Sequence, residues 1–122
     1  MRLEGDFYKT EHFESDPAGF RAVVSLNPHH PIYAGHFPSQ PVVPGVCTMT
    51  VVRELAGRAL GCKVRFASVK ESKFVSAVIP DGNLRLKFDF AIEADLKITG
   101  TVFRCDDGGE TAALKLKAML TR

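Results

Sequence analysis

His36 and the backbone that follows it are the residues of this 122-residue sequence whose types and spacing fit proton-transfer chemistry. His36 lies in a stretch running from Pro31 to Leu60 that is punctuated by Pro31, Pro38, Pro41 and Pro44. Each proline fixes φ and removes an N–H donor, so the loop is stiff and extended without ladder partners and can hold one side chain still. Pro44 suits the first positions of a helix, and Gly45 has no Cβ, so a ligand could approach the N–H groups that point out of the helix start. An imidazole beside a helix N-terminus pairs a proton carrier with a place that favours developing negative charge. The alternative for His36 is a surface or hydrogen-bonded structural histidine, which is what most lone loop histidines are.

Other chemistry-bearing residues carry weaker signals. Cys47, Cys62 and Cys105 are odd in number and show no C-x-x-C spacing, so they read as buried thiols of a reducing compartment; Cys47, near the helix start, is the one candidate nucleophile. His29 and His30 have no carboxylate or thiolate at ligand spacing and read as solvated loop histidines, and no metal or cofactor is expected. Glu54 is the one carboxylate on the long helix. Its alternatives are a role at the active site and an exposed i,i+4 pair with Arg58, with Arg53 as a further polar neighbour.

The elements that must position these groups follow from periodicity. Leu3 to Ser15 and Ala18 to Leu26 flank the turn composition Asp16-Pro17-Ala18-Gly19 and read as a hairpin. From Pro44 a helix is expected to about Leu60, stopped by Gly61. Val46, Cys47, Met49, Val51, Val52, Leu55, Ala56, Ala59 and Leu60 cover most of its circumference, the pattern of a helix buried on nearly all sides. Gly57 within it costs about 1 kcal/mol relative to alanine and marks a close approach of another backbone. Strand signals follow from Lys63 to Ile79, from Leu84 to Phe90, from Leu96 to Cys105 and through Leu114 to Leu120, with turns at Pro80–Asn83 and Asp106–Gly109. One apolar helix among antiparallel strands calls for an α+β fold in which a curved antiparallel sheet wraps one long central helix, as a single domain over residues 1–122.

The run His36-Phe37-Pro38-Ser39-Gln40-Pro41-Val42-Val43-Pro44-Gly45-Val46 closely resembles the H-F-P-G-x-P-x-x-P-G-V signature of the β-hydroxyacyl-acyl-carrier-protein dehydratases, which have the hotdog fold. Val69-Lys70-Glu71-Ser72-Lys73-Phe74 followed by Pro80-Asp81-Gly82 is similar to the family's strand that ends in a basic residue and Phe before a turn. The resemblance implies that His36 is the catalytic histidine and that the N–H groups of Gly45 and Val46 polarise the thioester carbonyl. It also implies that Phe37 belongs to the substrate-binding segment and that Lys73 lies near the carrier or pantetheine route. It further implies a homodimer or higher homo-oligomer, with histidine and acid contributed by different chains. The family's acid falls fourteen residues after the histidine, where this sequence has Thr50, and a threonine does not deliver a proton as a carboxylic acid does. Glu54, one turn further and about 6 Å along the axis, is the candidate replacement.

The resulting expectation is a 3-hydroxyacyl-thioester dehydratase of fatty-acid or related acyl-chain biosynthesis, acting on an acyl-carrier-protein or coenzyme A thioester. It would use His36 with Glu54, or His36 alternately as base and acid. Acyl-thioester hydrolysis, and a non-catalytic acyl-binding or partner subunit, remain as alternatives, the latter favoured by Thr50. A formal charge of +2 with no basic block excludes an electrostatic case for nucleic acid. The absence of a long apolar run or signal pattern points to a cytoplasmic protein without a membrane span.

Overall fold

A computed structural model describes residues 3–35, 41–80 and 83–122. β1 (Tyr8–Asp16) and β2 (Gly19–Leu26) form the expected hairpin. At its turn the Asp16 Oδ1 accepts the Ala18 N–H at 2.7 Å. That bond, with the Arg21 guanidinium 2.9 Å from the other carboxylate oxygen, holds the Asp16 carboxyl below its ordinary value. A single helical turn, α1 (Ile32–Gly35), follows. It begins where His30 Nδ1 accepts the Ile32 N–H at 3.1 Å, so His30 is a local cap and not merely a solvated loop residue.

The long helix α2 (Gly45–Leu60) ends at Gly61, whose φ of 74° is left-handed, as expected of a glycine just past a helix. Four strands complete the chain: β3 (Arg65–Phe74), β4 (Arg85–Ile92), β5 (Lys97–Asp106) and β6 (Gly109–Thr121). All six strands join one antiparallel sheet in the order β1-β2-β4-β5-β6-β3. The inward rows are the alternating ones read from the sequence: Leu84 just before β4, Leu86, Phe88 and Phe90 on it, and Leu114, Leu116, Ala118 and Leu120 on β6, are all buried, and Ile92 extends the first row. The result is the hotdog fold, a curved antiparallel sheet around the central helix α2. Among the described residues no helix is long and apolar enough to cross a membrane.

Two expectations about α2 meet different outcomes. Gly57 does mark a close approach: a Cβ there would lie 2.8 Å from the Cys62 carbonyl oxygen, where the chain folds back beneath the helix end. Burial on nearly all sides holds along most of the helix and fails at its first turn. Cys47, Thr48, Val51, Val52, Leu55 and Ala56 are buried, but Val46 is 66 % exposed and Met49 only partly covered. Thr50 and Arg53, at helical spacing from Val46, are partly covered. Apolar residue types alone do not tell a covered face from one left open.

Substituting Gly57 by alanine tests that packing. The gain in helix propensity is about 1 kcal/mol, whereas forcing a methyl against a backbone carbonyl costs about 1–3 kcal/mol. Thermal unfolding of Gly57→Ala is expected to show a lower midpoint than wild type.

Candidate active site

The start of α2 is bare. Its N-cap is Pro44, with φ −62° and ψ 138°, and no side chain caps it. The Cys47 and Thr48 N–H groups turn back to the Pro44 carbonyl at 2.9 and 3.2 Å, while the N–H groups of Gly45 and Val46 precede any intrahelical acceptor. These two carry the positive end of the helix dipole. A cleft of about 290 Å³ opens beside them, walled by Gly45 and Thr48 on the helix and by Phe74, Val75, Val78 and Leu114 from the far side. The Val43 N–H donates to the Val78 carbonyl at 2.8 Å, which fixes the approach to α2 against the chain leaving β3. The Phe74 ring lies over Gly45, where a Cβ would be 2.6 Å from Cζ. A side chain here would have to push aside the Phe74 ring, which is half exposed.

His36 and Phe37, with which the sequence begins its chemistry, lie outside the described residues; α1 ends at Gly35, immediately before them. Thr50 Oγ1 donates to the Val46 carbonyl at 2.8 Å, so its hydroxyl is turned onto the helix backbone. Lys73 is exposed on β3. Its neighbours Ser72 and Phe74 touch α2 through Met49 and Gly45, so Lys73 projects from the opposite, outer face of the strand beside its cross-strand partner Lys115.

Glu54 is placed by groups the sequence pattern does not reveal. Oε2 accepts the Leu3 N–H at 2.6 Å, and Oε1 accepts the Glu4 N–H at 3.1 Å and the Tyr8 hydroxyl at 3.0 Å. Arg53 stands 4.0 Å away. The pairing with Arg58 does not occur; the Arg58 guanidinium lies 4.3 Å over the Phe13 ring instead, a cation–π contact. A larger cleft of about 490 Å³ lies against the second half of α2, between Glu54, Tyr8, Arg53, Arg58 and Lys63. The helix start and the Glu54 carboxylate therefore face different clefts. No periodicity signal could have found the Glu54 partners, since they are 46 to 51 residues away.

Cys47 is fully buried, and burial pushes its thiol above the ordinary value of 9.0. The nucleophile weighed for it is therefore corrected: a reactive cysteine needs a stabilised thiolate, and this site disfavours one. Tyr33 is also pushed up, first by burial and then by the Cys47 thiol. Both groups stay neutral in the folded state at pH values where the unfolded chain would ionise them. Their contribution is fully present below about pH 9 and is lost as pH rises further. Urea unfolding between pH 7 and 11 is expected to show stability falling above that point. Cys47→Ala is expected to flatten the first part of the fall.

Comparison with known proteins agrees with this geometry. A structure from Erwinia carotovora subsp. atroseptica, described as an uncharacterised protein, superposes with a TM-score of 0.74 at 24 % identity, covering 93 % of this chain and 92 % of that one; at that identity it speaks for the fold. The dehydratase heterocomplex ApeI:P from Xenorhabdus doucetiae contains a chain that matches with a TM-score of 0.71 at 29 % identity, over 93 % of this chain and 97 % of the other. Among curated sequences, the 3-hydroxyacyl-acyl-carrier-protein dehydratase FabZ of Pasteurella multocida is 29 % identical over 82 residues, 60 % of this chain and 53 % of that protein. The chain spans about half the length of such curated relatives. The match to the family ApeI-like, ApeI dehydratase, runs from residue 10 to residue 115 and so takes in the first hairpin, the helix start and most of the sheet: this chain belongs to the ApeI-like dehydratase family.

Proposed function

We propose that this protein eliminates water from a 3-hydroxyacyl thioester to give the trans-2-enoyl thioester, in fatty-acid or related acyl-chain biosynthesis. The observation that carries the reading is the uncapped start of α2, set one stiff loop after His36 and open to a cleft of about 290 Å³. His36 takes the α-proton, and the N–H groups of Gly45 and Val46 stabilise the enolate-like charge on the thioester oxygen. The C3–O bond then breaks, and the departing hydroxide takes a proton and leaves as water. Of the two sources weighed for that proton, the engagement of Glu54 by Leu3, Glu4 and Tyr8 supports His36 alternating as base and acid. Glu54 would have to surrender these donors to act itself, and Thr50 Oγ1 is committed to Val46.

The thioester is carried by acyl carrier protein or coenzyme A. Lys73 and Lys115, paired on the outer face of β3 and β6, would meet the phosphate of the pantetheine arm or an acidic carrier, and Phe37 would line the acyl route. β3 ends the sheet and exposes Val69 and Phe74, with Val75 just beyond it. An apolar edge strand is a pairing surface, which supports addition of a second subunit there. That subunit is a second copy in a homodimer, or a distinct partner, as in the Xenorhabdus heterocomplex. The free cysteines support a cytoplasmic setting. Thr50 favours a second reading, a subunit that binds acyl thioesters while its partner supplies the acid.

The test is a hydration–dehydration assay with 3-hydroxyacyl thioesters on both carriers, with the chain alone. Wild type is expected to form enoyl thioester and His36→Ala to lose turnover by 10²-fold or more, about the scale of a lost acid–base group. Binding without turnover would leave the acyl-binding reading, and release of free thiol would mark a thioesterase. Glu54→Gln is expected to keep turnover but lower stability by about 1–3 kcal/mol, because buried donors lose an acceptor. Loss of turnover with the fold intact would instead make Glu54 the acid.

A further inference from the structure

Phe74 stands where solvent meets the bare start of α2. It is the last residue of β3, paired with Leu114 of β6. The chain beyond it is tied down as well: the Val75 N–H donates to the Ala113 carbonyl at 2.8 Å, and Ser76 Oγ donates to the Ala112 carbonyl at 2.8 Å. The ring therefore hangs from a fixed backbone and moves about its own side-chain bonds. Its tip is packed on Gly45, where a Cβ would lie 2.6 Å from Cζ and 2.8 Å from Cε1, yet the residue is 53 % exposed. One part of the ring thus covers the first residue of the helix while the rest faces outward. Among the described residues it is the one aromatic side chain that lines the cleft, whose other walls are small or aliphatic, Val43, Val75, Val78, Ala113 and Leu114 among them.

A half-exposed phenylalanine needs no function by itself, but this one lies against the helix start to which the thioester oxygen is assigned. Elimination and hydrolysis of a thioester begin alike, with the carbonyl oxygen held at N–H donors. They part at the next step. In hydrolysis a water oxygen bonds to the carbonyl carbon, the C–S bond breaks, and the sulfur leaves with the electron pair and takes a proton, giving a carboxylic acid and a free thiol. Elimination leaves that carbon untouched, so water must be kept from it. The group beside the carbonyl that excludes water selects between the two outcomes.

We propose that the Phe74 ring is the specificity-determining wall of this site: it shields the thioester carbonyl carbon from water and so commits the bound substrate to elimination over hydrolysis. The inference rests on the dehydratase reading above and adds a residue to its site. Gly45 is the counterpart, since a side chain in its place would push the ring off the helix start. A second subunit added at β3 would back the ring from outside and leave its contact with Gly45 in place.

The experiment compares wild type with Phe74→Ala and Phe74→Leu in the full chain, with Ile79→Ala as an exposed apolar control that does not line the cleft. A saturated acyl-pantetheine thioester has no 3-hydroxyl to lose and reads hydrolysis alone, as free thiol released. Thiol release is expected to rise about tenfold in Phe74→Ala, equivalent to about 1.4 kcal/mol off that barrier. It is expected to rise less in Phe74→Leu and to stay at the wild-type level in Ile79→Ala. With a 3-hydroxyacyl thioester, the ratio of enoyl product to thiol is expected to fall in the same order. Thermal unfolding checks that each variant is folded; should Phe74→Ala not be, Phe74→Leu carries the same comparison. Thiol release no faster than wild type in the folded variant overturns the proposal, as does an equal rise in Ile79→Ala. If wild type forms no enoyl thioester, the dehydratase reading fails, and the saturated thioester still decides whether Phe74 keeps water from the carbonyl.

Discussion

The seating of α2 on the concave face of the sheet is the contact on which the other features depend. Val51, Val52 and Ala56 are fully buried and Leu55 is 1 % exposed, and they share one core with Phe20, Leu86, Phe88 and Phe90. Fully burying a side chain of this size is worth about 1.5–3 kcal/mol, so the helix cannot shift along the sheet without losing several such terms. Gly100 supports this packing from the sheet side: a Cβ there would stand 2.6 Å from the Phe90 ring, which in turn stacks on Phe20 at 5.6 Å. Once the helix is clamped, the place of its first turn relative to Phe74 and Val78 is settled as well.

That first turn is where stability and chemistry pull in different directions. A helix serving only to fill the core would be expected to carry Ser, Thr, Asp or Asn at its N-cap, worth about 1 kcal/mol. Here the position is Pro44, which cannot cap. At the middle of the helix the opposite holds: Glu54 is met by two N–H groups and a hydroxyl and ties the chain's beginning to α2. One helix thus has a satisfied polar anchor along its length and unsatisfied donors at its start, and ligand chemistry belongs where donors lack acceptors.

Much of the fold was legible because it rests on local patterns. The alternation through Leu86, Phe88 and Phe90 has the period of a half-buried strand, and Asp106–Gly109 has hairpin composition; Gly61 ends the helix in the left-handed conformation that its sequence position calls for. Gly57 was readable because a glycine inside a helix needs a reason, and the Cys62 carbonyl is that reason. The bare helix start was readable too, from Pro44 and Gly45. The exposure of Val46 on the otherwise well-covered α2 was not, since residue type does not say where the cover stops.

The sequence by itself determined the local conformations and the order of chemical groups: a stiff loop, a helix that begins on proline and glycine, a threonine where an acid is usual, and strands of known polarity. These depend on φ restrictions, side-chain period and residue chemistry, which act over a few residues. Only the tertiary structure decided which of those groups meet. Glu54 binds residues 3, 4 and 8 rather than Arg58, four positions away, Arg58 goes to Phe13, and the buried Tyr33 hydroxyl is left without a partner. Such meetings are set by the packing of distant segments around one helix, and no short-range pattern encodes them.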